Sequence, residues 1–400
     1  MTTISRREFI IRSGALLLGL GMGETLISAL TSPNVAHAAN RPTNAPKLVV
    51  VQLTGGNDGL NTIIPYTNGV YYDNRPRIAV KQNQVLAINK QLGFHASMPG
   101  INTLYQQGKV GIIQGVGYPN PDLSHFRSMD IWHSGDPVTP KKQGWLARYL
   151  QQTQGSADQP VRAIEIGQRL SHALNGQVHV PCIQNVGSYK VEKDEQMLKS
   201  LRKLYQIKPG DAFTDVKTRG NSLFVSTDRI STLTPQDLGY PSTPFGRDLA
   251  TAAAIIKGGL DTQIIYTQMN GYDEHASENS SHPKLLSQLD QAISFFYHDL
   301  AQNKLADNVV IMMFSEFGRR LKENSSVGTD HGTSGPVFLI GNPVKGGLHG
   351  EHPSLAKLVN GDLPYTVDFR SVYATVIDKW LGGAHQDILG KRFEVLPVFR

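Results

Sequence analysis

Six short runs of apolar and β-branched residues constrain this chain more than any other feature. They are "KLVVVQL" (47–53), "KVGIIQGV" (109–116), "VRAIEIG" (161–167), "TQIIYTQM" (262–269), "NVVIMMF" (308–314) and "PVFLIG" (336–341). Alternating runs would mark strands with one face in water. Near-continuous runs suit strands buried on both faces, as in a parallel sheet. Helical patterns lie between them. "HPKLLSQLDQAISFFYHDLAQ" (282–302) puts Leu285, Leu289, Ile293, Phe296 and Leu300 on one stripe, with Pro283 suited to a helix start. "DFRSVYATVIDKWLGG" (368–383) puts Val372, Val376, Ile377 and Trp380 on a face, between an Asp368 N-cap and a Gly382–Gly383 stop. The expected fold class is therefore α/β: a doubly wound, mostly parallel sheet with helices on both faces. Residues 168–243 are less regular and read as an insertion or cap within one domain spanning 47–400.

Composition narrows the function classes. At 40% hydrophobic and 18% charged residues the chain is globular rather than disordered. The formal net charge of +6 is diffuse, without a Lys/Arg block, so it favours anionic substrates mildly and gives no nucleic-acid signature. The lone Cys182 excludes an intramolecular disulfide and a cysteine metal cluster.

The N-terminus reads as an export signal. "SRREFI" (5–10) is followed by the apolar "GALLLGLGMG" and by "AHA" at 36–38. Paired arginines, a moderately apolar stretch and small residues at the cleavage position make residues 1–38 a twin-arginine signal peptide, with 39–46 as a flexible lead-in. The apolar stretch is short for a membrane span, so no stable span is expected in the mature form. The expected location is the periplasm or the cell exterior, and the twin-arginine (Tat) translocase is the expected partner in export. Such substrates typically cross already folded, which permits a preloaded metal.

In sheets of this kind, ligands bind outside the carboxyl ends of the strands. The residues after the first run are "TGGNDGLN", with Asp58. After the second run come Ser124, His125 and Arg127; after the fourth, Asp273, Glu274 and His275; after the fifth, Glu316 and Arg319. Asp330 and His331 lie just before the sixth run. Carboxylates and imidazoles gathered at five strand ends are the donors expected for a divalent cation. Each piece also has a plainer reading. Asp58 suits an Asx turn, Ser124 a helix N-cap, Asp273 and His275 loop capping, Glu316 with Arg319 a surface ion pair, and Asp330 with His331 turn duty. His133, His349, His352 and His385 read as surface residues.

Together with the twin-arginine start, "VVVQLTGGNDGLNTIIPY", "LSHFRSMDIW", "NGYDEHA", "FSEFGRR", "GTDHGTSGPVFLIG" and "DFRSVYATVIDKWLG" resemble a bacterial exported family. That family is known only as a domain of unknown function, number fifteen-oh-one, related to the alkaline phosphatase and sulfatase superfamily. The resemblance runs from about Lys47 to Leu381 and implies an alkaline phosphatase-like fold with a two-metal esterase site. It assigns Asp58 as the early ligand, Ser124 as the nucleophile, Asp273 with His275 as the mid-chain pair, Glu316 in place of a Ser-Asp-His-Gly motif, and His331 as the late histidine. Asp330 is a substitute ligand in that scheme. Phe317 stands where the relatives have a metal-binding His, and the Asp273–His275 spacing is tighter than usual, which weakens or removes the second metal site. The cation would be Zn, Ca, Mg or Mn.

The expectation is an exported metal-dependent hydrolase of phosphate or sulfate esters, acting on an anionic small molecule or polymer. In it Ser124 attacks, Arg127 or Arg319 steadies the oxyanion and His125 shuttles a proton. Two competitors remain: a catalytically silent envelope binding protein that keeps the fold, with or without one structural metal, and a metal-dependent hydrolase or transferase acting on other envelope polymers.

Overall fold

The computed structural model describes residues 45–153, 161–187, 189, 195–206, 214–234, 239–260 and 262–400. The expected export signal, most of the lead-in and parts of the middle insertion lie outside them. Among the described residues no helix is long and apolar enough to cross a membrane.

In chain order the strands are β1 (Lys47–Thr54), β2 (Ile63–Ile64), β3 (Val85–Ala87), β4 (Gly93–His95), β5 (Val110–Gly117), β6 (Ala163–Ile166) and β7 (Cys182–Ile183). They continue with β8 (Ile264–Asn270), β9 (Val309–Phe314), β10 (Arg319–Glu323), β11 (Thr329–His331), β12 (Gly335–Ile340), β13 (Gly347–His349) and β14 (Val367–Asp368). The main sheet runs β13-β5-β12-β9-β1-β8-β6-β7, with β14 also paired to β5. All six apolar runs become strands of this sheet. Pairing is parallel throughout except at β12, which is antiparallel to both β5 and β9. The sheet is mostly parallel, as expected.

The alternation of side chains along a strand explains why the runs are continuous. On β1, Val49 and Val51 join one core and Leu48 and Val50 the other. The first core packs against helices Pro99–Gln106, Pro244–Lys257 and Glu278–Gln302; the second against His125–Ser134, Trp145–Gln152 and Phe369–Val376. Each Val, Ile or Leu so buried contributes on the order of 1.5–3 kcal/mol, and neither face can spare its apolar positions. Asp368 caps its helix through the Arg370 N–H, and Gly382 stops it with φ +68°. Within the middle region, helices Glu195–Leu204 and Thr214–Ser231 share a small separate core at Leu198 and Phe224.

Two readings need correction. Pro283 lies inside its helix, which starts at Glu278 after Ser277, so the proline removes one bond of the ladder. His133 and His385 are buried rather than on the surface. His133 bonds Gln52 (3.0 Å) and the Tyr266 hydroxyl (3.1 Å) beneath the sheet, and His385 pairs with Asp378 (2.6 Å).

The strand order matters for function. β5, β12, β9, β1 and β8 are contiguous. Because β12 runs against its neighbours, the residues that precede it reach the same rim as the residues that follow the other four.

Candidate metal centre

Two glycines let this rim close up. Gly55 has φ +120°, and a Cβ there would lie 2.3 Å from the Asp273 backbone nitrogen. Gly56 has φ +82°, and its Cβ would lie 2.4 Å from the Phe317 ring. Only glycine permits both this backbone and this approach. The β10–β11 hairpin sets Arg319 directly opposite His331 in register, which brings both side chains to the loop after β8.

Asp273 is the hub. Its Oδ1 lies 3.0 Å from His275 Nε2, 3.2 Å from His331 Nε2 and 3.4 Å from His125 Nε2. The Nε2 atoms of His275 and His331 are 2.9 Å apart. Arg319, itself fully buried, donates to Asp273 Oδ1 at 2.7 Å and to the carbonyls of Gly55, Gly56, Tyr272 and Thr329. Partial burial would raise the Asp273 pKa, but hydrogen bonds from Arg319 and His331, with the charges of Arg319 and His125, hold it down to about 2. The carboxylate is ionised at any physiological pH.

Each imidazole has its other nitrogen engaged. His125 Nδ1 faces Glu316 Oε1 at 2.9 Å, His331 Nδ1 faces the Leu123 carbonyl at 2.7 Å, and His275 Nδ1 faces Asp330 Oδ1 at a longer 3.4 Å. All three partners accept, so a proton on Nδ1 would leave each Nε2 to bind a cation. The three Nε2 atoms face the Asp273 carboxylate oxygen. His125 Nε2 is sealed from solvent and makes no hydrogen bond. The carboxylates of Glu316 and Asp273 favour positive charge on this ring: the Glu316 hydrogen bond is the largest cause of its raised pKa. A proton and a divalent cation compete for that Nε2.

The donor set fits a transition-metal cation. A tetrahedron with bonds of about 2.0–2.1 Å has edges of about 3.3 Å, and the three Asp273–imidazole separations and the His275–His331 one are 2.9–3.4 Å. His125, Asp273 and His331 place one ligand atom each within 4.8 Å of the others. Imidazole-rich donors select zinc-class ions over calcium or magnesium, which prefer all-oxygen shells. Acceptors behind the ligand rings, as Glu316 and Asp330 are, commonly fix ring orientation at metal sites. A cleft of about 530 Å³ lined by Thr54, Gly55, His125, Phe126, Asp273 and Glu316 opens onto the cluster.

The ten expected site residues therefore divide. His125, Asp273, His275 and His331 meet. Glu316 and Asp330 sit behind the rings, with Glu316 fully buried and also accepting from the Gly55 N–H at 2.8 Å; a surface ion pair with Arg319 does not form. Arg319 fixes Asp273 and the surrounding carbonyls. Arg127 points away and bonds the Val138 carbonyl at 3.3 Å. Ser124 precedes helix His125–Ser134, its hydroxyl capping no helix N–H; it is exposed, between Leu123 and His125, both of which touch the cluster. Asp58 is turned into the interior. It caps helix Gly59–Thr62 through Leu60 and Asn61 and pairs with buried Arg75 at 2.5 Å. Burial opposes its ionisation, yet the Arg75 charge keeps its pKa below the usual carboxylate range. Asp58 is thus a structural acid and not a member of the cluster.

Sequence reasoning missed what surrounds Asp58. Glu278 accepts from Asn61 (2.7 Å) and Thr329 (3.1 Å), and Glu274 holds buried His282 (2.5 Å). Adjacent Asp273 and Glu274 thereby face opposite ways, one to the cleft and one to the interior. Phe317 is buried, with its ring centroid 4.9 Å from that of His125 and 4.6 Å from that of His331. It forms an apolar wall of the cluster where a second set of ligands was in doubt.

Residues 45–389 match the family described as "Protein of unknown function (DUF1501)". No curated protein matches the sequence. Among solved structures the chain is similar to a protein in the alkaline phosphatase superfamily from Vibrio parahaemolyticus (10% identity, TM-score 0.38, covering 90% of this chain and 74% of that one). It is similar also to PsFucS1 sulfatase from Pseudoalteromonas sp. (11%, TM-score 0.40, 89% and 74%) and to the lipoteichoic acid synthase LtaP from Listeria monocytogenes (10%, TM-score 0.35, 84% and 78%). At such distances any functional reading has to stand on this chain's own residues.

Proposed function

Given that the chain belongs to the DUF1501 family, we propose that it is an exported metal-dependent hydrolase of phosphate or sulfate esters, with one zinc-class cation held by His125, Asp273, His331 and His275. The carrying observation is the convergence of three Nε2 atoms on an ionised carboxylate, with every Nδ1 facing an acceptor of its own. Structural zinc sites are closed, whereas Asp273 is half exposed in a cleft, the arrangement of a site that meets substrate.

Such a cation, when bound, polarises a phosphoryl or sulfuryl oxygen and lowers the pKa of a hydroxyl beside it. Ser124 supplies the attacking hydroxyl from the exposed start of its helix, whose positive end favours an anion. Glu316, Asp330 and the Leu123 carbonyl hold the three rings in orientation, and Arg319 keeps Asp273 anionic and fixed. The substrate is an anionic small-molecule or polymer ester. Arg6, Arg7 and the Ala36–Ala38 segment support Tat-dependent export to the periplasm or beyond.

A second reading, a silent envelope binding protein with a structural metal, is favoured by buried Phe317, which leaves the cluster with ligands for a single ion. Metal analysis and assays on aryl phosphate and aryl sulfate separate the two. The hydrolase reading expects bound zinc-class metal, lost in His331→Ala, and turnover lost in Ser124→Ala with metal retained. Metal-loaded protein without Ser124-dependent turnover selects the binding protein. Metal-free protein that takes up no zinc sinks the hydrolase reading.

A further inference from the structure

A second cleft, of about 690 Å³, lies along the same rim at the ends of β6, β7 and β8. Its size is that of a small-ligand site, and it shares Asn270 with the cleft over the metal centre. Its lining is unusual in chemistry. Gln168, Gln184, Asn185, Gln268, Asn270 and Gln288 supply six carboxamides, drawn from three strand ends and the Glu278–Gln302 helix.

We propose that this cleft binds a neutral sugar portion of the substrate, while the charged ester group of the same molecule lies at the metal centre. A carboxamide donates and accepts at once, which matches the hydroxyl groups of a sugar ring, each of which does the same. The two lining acids reinforce the neutral character. Burial pushes Glu165 up to about 7 against the Ser171 N–H, and pushes Asp248 up to about 7 against the Thr267 hydroxyl. Near neutral pH both are partly protonated and able to donate. A site for a polyanion would instead concentrate cations; among the described residues Arg169 and Arg247 share this lining with Glu165 and Asp248. Nucleobases call for exposed aromatic platforms, and Phe245, the one aromatic lining the cleft among the described residues, is buried.

The inference deepens the hydrolase reading but is tested apart from it. Full-length zinc-loaded protein is probed with an array of neutral glucan, xylan, mannan and N-acetylhexosamine oligomers, with a neutral peptide of similar size as control. At least one oligomer is expected to bind. Gln288→Trp, which fills the cleft, and Gln184→Ala should each weaken it about tenfold or more, with zinc content and turnover of a small aryl ester unchanged. His331→Ala should lose zinc and keep oligomer binding, so a failed metal centre and a failed sugar site give different results. No binding across the array, binding unaffected by both cleft variants, or preference for the peptide overturns the proposal.

Discussion

Glu316→Gln isolates the role of a group that touches no substrate. Glu316 is fully buried, and its Oε1 accepts from both the Gly55 N–H (2.8 Å) and His125 Nδ1 (2.9 Å). Glutamine has the same shape and one oxygen to accept with, so volume and the Gly55 contact survive while the charge does not. A hydrogen bond to a charged acceptor contributes about 1.5–3 kcal/mol and a neutral one about 1 kcal/mol. The loss of about 1–1.5 kcal/mol converts to about a tenfold weaker zinc affinity, at the lower end of what outer partners of metal-bound histidines contribute. There is a second signature. The Glu316 bond is the main reason the His125 pKa is raised, so protons displace zinc from the wild type as pH falls through that raised value. In the variant the His125 pKa falls, and the proton-driven loss of zinc moves to lower pH even though affinity at high pH is weaker. Competition titrations with a chromophoric chelator across the neutral range read both effects. Affinity within twofold of wild type, with the pH midpoint unmoved and the fold intact, would refute the role given to Glu316.

Other perturbations read different parts of the molecule. Asp58→Ala leaves Arg75 buried without its partner and should cost about 3–5 kcal/mol in urea unfolding, while the protein that remains folded keeps its zinc; loss of zinc with normal stability would return Asp58 to the ligand set. Chelation by EDTA should lower the melting temperature, and re-addition of zinc should restore it in proportion to the logarithm of free zinc; a melting temperature indifferent to zinc contradicts the site. Burial holds the His133 pKa near 3, far below its ordinary 6.5. The unfolded chain therefore takes up this proton first, and the contribution, fully present above pH 6.5, declines as pH falls toward 3. His133→Gln should flatten that part of the stability–pH curve relative to wild type, and an unchanged acid limb would argue against a neutral buried imidazole.

Much of the architecture was legible before any coordinates. An apolar run such as "NVVIMMF" can be satisfied only by burial on both sides, since successive residues of a strand point to opposite faces; Val309, Ile311 and Met313 fill one core and Val310, Met312 and Phe314 the other. The rim of the site was legible for the same reason. Polar residues that interrupt the chain right at the ends of such runs have nowhere to go but the edge of the sheet, and Asp273, His275 and His331 were found that way.

What local pattern could not supply was direction and partner. Asp58 and Asp273 are the same residue type at equivalent strand ends, and nothing in "GGND" or "GYDE" tells which carboxylate turns inward. The interior supplied Arg75 to one and the β10–β11 hairpin supplied Arg319 to the other. Likewise His125 turns its Nε2 to the cluster because Glu316, 191 residues away in the chain, accepts from its other nitrogen. The sequence by itself determined the layers and the rim, because burial of apolar residues is a local demand that each strand states alone. The tertiary structure decided which acids and imidazoles meet, because a charge is settled by partners that only folding brings within about 3 Å.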